Sequence, residues 1–316
     1  MPHLENFRLK VFRAVAENGS FRKAGELLYL TQSAITQQIR ALEEDLGVQL
    51  LDRTGRDVEV TSAGTVLLTC VRQLDELLRR AEQEIATLGG KGGGELHLGV
   101  STTISQYVLP RMLKEFRKEH PQVRLSVQSG NTEQIVEAVV ERTVSLGLIE
   151  GPPRRREVRI EPFLEDELVL IVPNSHEWAD QVSLCSHDLV GTSLLMRERG
   201  SGSRRVIESA LVAVGLKLKS LDIVMELDST EAIKSAVEAG LGVGFVSRWA
   251  IANEAQLGLL KPVPITGLII LREFTLAYPA GPEPSGPAGA FRRFALENKG
   301  ARSLHPHHKT KNARRS

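Results

Sequence analysis

The chain has 316 residues, 41% of them hydrophobic and 25% charged, and a formal net charge of +1. That is enough for two or three domains with proper cores, in a composition ordinary for a globular protein, and it excludes a global field that would by itself draw nucleic acid. Two cysteines, Cys70 and Cys185, stand far apart with no CxxC spacing, which excludes a disulfide framework and a cysteine zinc site and fits a reducing compartment.

The N-terminal MPHLENFRLKVF is charged and carries no long apolar run, so no secretory signal is expected. No stretch approaches the ~20 apolar residues that span a bilayer, so the expected location is cytoplasmic, without a membrane partner. In the first helix Leu4, Phe7, Val11, Phe12 and Val15 fall on one side, and Gly19 ends it. Ser20 is an N-cap for FRKAGELLYL, and Thr31 caps the next helix, which ends near Gly47. That third helix buries Ile35, Ile39, Leu42 and Leu46 at three- and four-residue steps. Its opposite face carries Ser33, Thr36, Gln37 and Arg40, where a surface helix more often shows Glu and Lys. VQLLDRTGRDVEVT has two short β-like runs around RTGRD and reads as a hairpin. Thr61 or Ser62 caps a long helix to about Leu88, with a stripe of Val66, Leu67, Val71, Leu74, Leu77, Leu78, Ile85 and Leu88. The stripe either packs on its own domain or meets a partner helix in a dimer. Its length beside so small a domain favours the partner, with Cys70 in the core or the seam.

GGKGGG, residues 89–94, is the clearest boundary, because poly-glycine cannot continue a helix. Beyond it the pattern alternates. ELHLGV, VRLSVQSG, SLGLIEG and ELVLIVP read as strands, with helices in YVLPRMLKEFRKEH and NTEQIVEAVVER. A second set follows: TSLLMRE, the helix SRRVIESALVAVG, DIVMEL, the helix STEAIKSAVEAG, and VGFVS, before a last strand FTLAYPA and a final helix FRRFALEN. Strands alternating with helices imply a mostly parallel α/β sheet. The tail, residues 301–316, is basic, poor in apolar residues and expected to be disordered, its histidines a solvated cluster.

FRKAGELLYLTQSAITQQIRAL, helix, short turn, helix, is helix-turn-helix geometry, in which the second helix leads with its N-terminal end into the DNA major groove. The exposed residues then have a chemistry. Gln32, Gln37 and Arg40 can make bidentate contacts to base edges, and Thr31, Ser33 and Thr36 can contact bases or phosphates. Arg53 and Arg56 sit on the hairpin, positioned like a wing that grips phosphates.

Ser20 to Gly64 carry a resemblance to the LysR-type transcriptional regulators, and the order of elements extends it over nearly the whole chain. The matching features are the Ser-Phe start, paired small residues, the Thr-Gln turn, LE-x-x-LG-x-x-L, a closing Arg and T-x-AG. Gly25 stands where the family usually has a second Ala, and Gln37 where Arg is common, which bears on base preference. The resemblance implies a winged helix-turn-helix at 1–60, a dimerising linker helix at 61–89, a hinge at 90–94 and an effector domain at 95–300. That domain resembles periplasmic solute receptors, an α/β fold of two lobes: lobe I at 95–162 and 266–300, lobe II at 163–265. The chain would cross near Phe163 and return near Pro264. The implied partners are a double-stranded DNA operator, further copies of the chain as dimer or tetramer, and RNA polymerase as a candidate.

Ligands in open α/β sheets sit beyond the carboxyl ends of strands, where helix N-termini offer free N–H groups. Four segments fit. GVSTTIS offers Ser101, Thr102 and Thr103, and SGNTEQ offers Asn131 and Thr132. RERGSGSRR offers Arg199, Gly200, Ser201, Gly202, Ser203 and Arg204, and DSTEAI offers Ser229 and Thr230. Each alone is an ordinary cap. Together, with no acid at the expected contact points though Glu133 and Glu198 lie close, they imply a site for a small anion and need no cofactor. GNTE and RERGSG look most like family members governing sulfur assimilation or carbon fixation. The first group suggests sulfite, sulfate or O-acetylserine, the second a phosphorylated sugar or nucleotide, and the small oxyanion is the favoured reading.

An enzyme would need a catalytic set. RGSGS is not G-x-S-x-G, GGKGGG lacks the P-loop frame, and GLGVGF follows a helix where a dinucleotide fingerprint follows a strand. His176 and His187 lack metal-ligand spacing, and Cys185 has no redox partner in its domain. A solute receptor without a DNA role would fit residues 95–297 but leave the first 90 unexplained.

Overall fold

Side-chain caps open the second and third helices, and glycines in the left-handed conformation close the first and third. The computed structural model describes residues 7–53, 58–88, 93–155 and 157–298, in two compact units, Met1–Lys91 and Gly92–Ser316. In the first, α1 (Phe7–Asn18) ends at Gly19, which takes the left-handed φ of +59°. The Ser20 hydroxyl accepts the Lys23 N–H and opens α2 (Phe21–Leu28). The Thr31 hydroxyl accepts the Ala34 N–H and opens α3 (Gln32–Leu46), which Gly47 closes in the left-handed conformation. Val11, Phe12, Val15, Ala24, Ile35, Ile39 and Leu42 form the core. A Cβ on Gly25 would stand 2.7 Å from the Leu30 carbonyl oxygen, so this turn is closed too tightly for the alanine common in the family. Two apolar assignments differ from expectation. Phe7 and Leu46 are each 50% exposed, because each lies on the terminal turn of its helix, beyond the core's reach. Leu4 lies outside the described residues.

The hairpin pairs β1 (Leu51–Asp52) with β2 (Glu59–Val60) antiparallel, Leu51 opposite Val60. Its tip, with Arg56, lies outside the described residues. The Thr61 hydroxyl accepts the Gly64 N–H at 3.0 Å, so Thr61 caps α4 (Ser62–Leu88). Val71 is buried and Leu67 and Leu68 pack on the core, while Arg72–Glu17 at 3.2 Å and the Arg13–Asp75 pair bind α4 to α1. The other side of α4 stays apolar and open: Val66, Leu77 and Ile85 are 66%, 62% and 64% exposed. Cys70 is exposed too, which removes it from the core.

The second unit holds a nine-stranded sheet among the described residues, in the order β4-β3-β5-β11-β6-β9-β7-β8 with β10 added on β6. The strands are β3 (Gly94–Ser101), β4 (Val123–Gly130), β5 (Leu146–Glu150), β6 (Val158–Pro173), β7 (Ser193–Arg197), β8 (Asp222–Leu227), β9 (Val243–Ser247), β10 (Leu260–Val263) and β11 (Ile270–Pro279). The helices are α5 (Leu109–Glu119), α6 (Thr132–Val140), α7 (Gly202–Ala213), α8 (Thr230–Glu238), α9 (Ala252–Leu257) and α10 (Gly286–Glu297). The sheet is mixed, not mostly parallel. Its flanks β4-β3-β5 and β9-β7-β8 are parallel, but β5–β11, β11–β6, β6–β9 and β6–β10 are antiparallel.

The cause is two long strands that run from one lobe into the other. β6 is 16 residues long and swallows the stretch that Glu161, Pro162, Glu165 and Asp166 disguise as a loop. The Pro162 region is absorbed by a register shift at Phe274/Thr275 of β11. Lobe I packs Leu96, Leu98, Val100, Met112, Phe116 and Phe291 in one core, lobe II Leu170, Leu194, Leu211 and Phe245 in another. Ile265, Leu268 and Ile270 still pack in the second core, so the chain returns to lobe I within β11 rather than near Pro264. No helix among the described residues is long and apolar enough to cross a membrane, and residues 301–316 lie outside the description.

Candidate functional site

In the first unit, Gln32, Ser33, Thr36, Gln37 and Arg40 line one concavity on the outer side of α3, with Ala41 and Glu44 at its end. Their hydrogen-bonding states differ. Thr31 spends its hydroxyl on the cap and on Ser33 at 3.0 Å. Thr36 donates to the Gln32 carbonyl at 2.9 Å, leaving a methyl and acceptor lone pairs to offer. Gln37 and Arg40 are exposed and make no side-chain hydrogen bond or ion pair among the described residues, the state a bidentate base contact needs.

Arg53 is different from the phosphate clamp expected of it. It pairs with Glu43 at 2.7 Å and stacks on Phe21 at 5.0 Å, and Glu43 also accepts the Leu50 and Leu51 N–H groups at 2.9 and 3.2 Å. Arg53 and Glu43 therefore brace the wing on α3, and a phosphate contact would fall to the remaining guanidinium N–H groups. Arg53→Ala is accordingly expected to act mainly as a stability defect. Arg40→Ala should leave stability unchanged and relax operator preference by ~1–3 kcal/mol at one base pair. Competition binding against single-base operator variants checks this, and an intact preference would remove Arg40 from the reading face.

In the second unit the hydroxyl-bearing segments meet. Ser101, at the end of β3, lies 3.5 Å from Thr132, and Thr103 shares a 3.2 Å hydrogen bond with Thr230 across the lobes. Thr132, Ser203 and Thr230 stand in the first turns of α6, α7 and α8, and Asn131, Ser201 and Ser229 cap those helices. Gly202 packs against the Glu150 carbonyl, and the Gly200 carbonyl accepts the Glu133 N–H at 3.3 Å. Arg199 is exposed and makes no side-chain bond within this cluster. Arg204 is committed elsewhere, to Glu208 at 2.8 Å, Glu226 at 2.7 Å and the Arg197 carbonyl at 3.0 Å.

Among these hydroxyls lies a buried acid that the sequence did not announce. Glu150, 2% exposed at the end of β5, accepts from the Thr103 N–H, the Ser203 hydroxyl and Arg272, each at 2.8 Å. Arg272 also donates to Asp166 at 2.6 Å and to Ser203 at 2.7 Å, and Asp166 accepts from Ser247 at 2.7 Å. Burial pushes the Glu150 carboxyl up, but Arg272, Arg197 and the bonds from Ser203 and Thr103 outweigh it and hold it below the usual range. For Asp166 burial wins over Arg272 and Ser247, and its carboxyl sits high. Arg197, 2% exposed, ties Thr102 at 3.1 Å, Thr230 at 3.5 Å, the Asp228 carbonyl at 3.0 Å and the Glu198 carboxylate at 2.8 Å.

Glu150, Asp166, Arg197 and Arg272 were thus missed from sequence. For Glu150 and Arg197 the available signal was a charge closing the apolar runs SLGLIE and SLLMR; Asp166 and Arg272 had no such signal. The arrangement gathers hydroxyl, amide and guanidinium donors around the Glu150 carboxylate. It holds no nucleophile–base pair, and no group of His, Cys, Asp and Glu among the described residues could hold a metal ion.

Two family models match the chain. The bacterial regulatory helix-turn-helix protein model of the lysR family covers residues 7–65, and the LysR substrate binding domain model covers 89–300. The chain is 33% identical over 297 residues to the HTH-type transcriptional activator CmpR of Synechocystis, 94% of this chain and 96% of that one. It is 33% identical over 294 residues to the RuBisCO operon transcriptional regulator of Allochromatium vinosum, 93% and 96% of the two chains. Full-length CbnR complexed with its target DNA superposes with a TM-score of 0.67 at 25% identity, over 94% of this chain and 99% of that chain. The regulatory domain of Synechocystis CcmR, in complex with 2-PG, superposes with a TM-score of 0.60 at 27% identity, over 66% and 99%. Both models and these relatives span nearly the whole chain and describe a DNA-binding regulator with an effector domain, not an enzyme, and the chain is a member of the LysR family of transcriptional regulators.

Proposed function

We propose that this regulator answers to a small phosphorylated metabolite bound between the lobes, and that it controls genes of carbon fixation. The observation that carries the proposal is the donor set on Glu150. A backbone N–H, a hydroxyl and a guanidinium already hold an oxyanion there, and Arg197 with Thr102 and Thr230 extends the set toward the rim. Glu198, 22% exposed, is the Arg197 partner that an entering phosphate would displace. CmpR and the RuBisCO regulators, together with the CcmR domain in complex with 2-PG, weigh for the phosphorylated ligand over the sulfur oxyanion.

Thr36, Gln37 and Arg40 read the operator in this proposal. The exposed line of Val66, Cys70, Leu77 and Ile85 on α4 pairs two copies, which assemble further into a tetramer. Contact with RNA polymerase and a cytoplasmic location complete the reading.

A thermal-shift screen of the full chain tests the effector. Both tryptophans, Trp178 and Trp249, lie in the second unit, so their fluorescence reports that unit. A ligand at a hundredfold its Kd adds ~2.7 kcal/mol. The expected result is a rise with 2-PG, ribulose bisphosphate or NADPH. A rise confined to sulfite, sulfate, thiosulfate or O-acetylserine would overturn the phosphorylated ligand in favour of the sulfur branch.

A further inference from the structure

A second cationic pocket lies outside the cleft. The loop that follows β5 reads Gly151-Pro-Pro-Arg-Arg155, and its two prolines restrict how the arginines are presented. Arg154 is exposed and makes no side-chain hydrogen bond or ion pair among the described residues. Arg205 of α7 is half-buried and donates through Nη2 to the Pro152 carbonyl at 3.0 Å, while its Nε is buried with no partner. A buried guanidinium N–H without an acceptor is costly, and so is a like charge beside it. Burial lowers the Arg205 guanidinium first and Arg154 lowers it further, with Glu133 opposing.

Both arginines line a cavity of about 510 Å³ whose other walls are Ser209 and the apolar Val206, Ala210, Ile269 and Leu271, with no carboxylate in the lining. Ile269 and Leu271 are 75% and 67% exposed, large apolar surface beside the two arginines, which on another side share a smaller concavity with Glu133 and Glu137. Arg155 is not one of the two, and it pairs with Glu137 at 3.1 Å.

We propose that this cavity is a second ligand site, for an organic anion whose carboxylate or phosphate head is held by Arg154 and Arg205 and whose short apolar body lies on Val206, Ile269 and Leu271. The head pairs with the exposed Arg154 guanidinium and sits between two like charges, and the body covers the exposed aliphatic wall. The residues come from three places: the loop after β5 in lobe I, α7 in lobe II, and the start of β11, which runs between the lobes. A ligand there bridges the lobes beside the Pro152–Arg205 bond and restrains their relative position independently of the cleft, whose Glu150 carboxylate and Thr103 are not in its lining.

The test is calorimetric titration of the full chain with phenyl phosphate and phenylacetate, beside inorganic phosphate and benzyl alcohol. The expected result is saturable binding of at least one phenyl anion. Inorganic phosphate and benzyl alcohol should bind at least tenfold more weakly, and R154A should weaken the phenyl anion at least tenfold. Phenyl phosphate against phenylacetate then identifies the head group. R205Q should do the same, and because Arg154 is exposed, R154A keeps the test decisive if R205Q folds poorly. No binding of either phenyl anion, equal binding of inorganic phosphate, or affinity unchanged in R154A would each overturn the proposal. A thermal shift with 2-PG that persists in R154A reads the site around Glu150 separately.

Discussion

Arg272→Leu is expected to lower the stability of the second unit by about 3–5 kcal/mol. Arg272 is buried on β11 and bonds to Glu150, Ser203 and Asp166 while stacking on Phe274 at 5.0 Å. Its removal leaves two carboxylates buried without their cation, and the cost of that exceeds the hydrogen bonds lost, because burial works to raise both groups.

The pH dependence fixes the sign. In the native chain Glu150 is depressed, so its contribution is present above its unfolded value and is lost as pH falls through the folded one. Asp166 is raised, so its contribution is present at low pH and is lost as pH rises through the folded value. Without Arg272 both carboxyls would be raised. The deficit of the variant should therefore be largest at neutral pH and shrink on acidification, as each carboxyl takes up its proton in the folded state. Denaturant unfolding at several pH values, followed by Trp178 and Trp249, measures this in the full chain. A loss below ~1 kcal/mol at pH 7 would mean that water or another cation replaces Arg272.

The same network shows where reading from sequence stops. Ser20, Thr31 and Thr61 cap helices whose first N–H groups lie three residues away, so local chemistry places them. The outer face of α3 is legible for a related reason: Gln37 and Arg40 make no side-chain hydrogen bond or ion pair among the described residues. Arg53 already escapes, because the hairpin folds it onto a carboxylate ten residues back.

Arg272 meets Asp166 across 106 residues and Glu150 across 122, through a register of β11 on β6 and β5 that no local pattern encodes. A single strand-breaking stretch around Pro162 was enough to hide the first half of β6, and with it the antiparallel centre of the sheet. The convergence of Ser101, Thr103, Thr132, Ser203 and Thr230 was legible because each sits beside a strand end or a helix start. That a glutamate from β5 would sit among them was not, since a charge at the end of an apolar run reads equally as a turn residue.

Gly202→Ala is expected to break the contact between the lobes. A Cβ at this position would stand 1.6 Å from the Glu150 carbonyl oxygen and 2.5 Å from Thr132 Oγ1. Neither can give way cheaply. Glu150 belongs to β5, paired with Phe274 of β11, and Thr132 spends its hydroxyl on that same Glu150 carbonyl at 3.0 Å. No backbone strain enters, because Gly202 is not among the glycines at positive φ, and alanine is the better helix former by up to ~1 kcal/mol. The steric term must therefore dominate for any loss to appear. If α7 retreats to make room, Ser203 leaves Glu150, and Thr103 draws apart from Thr230.

The expected loss is about 3 kcal/mol in the second unit, with the rise on adding effector abolished. Operator binding by the first unit should persist, since α3 and its core lie wholly within Met1–Lys91. Unfolding followed by the two tryptophans and operator binding with and without effector separate these outcomes. A stabilised protein that still responds to effector would mean that the lobes stand apart in the populated state, with the Gly202–Glu150 contact made only transiently. Loss of operator binding together with stability would instead mean that the two units fold as one.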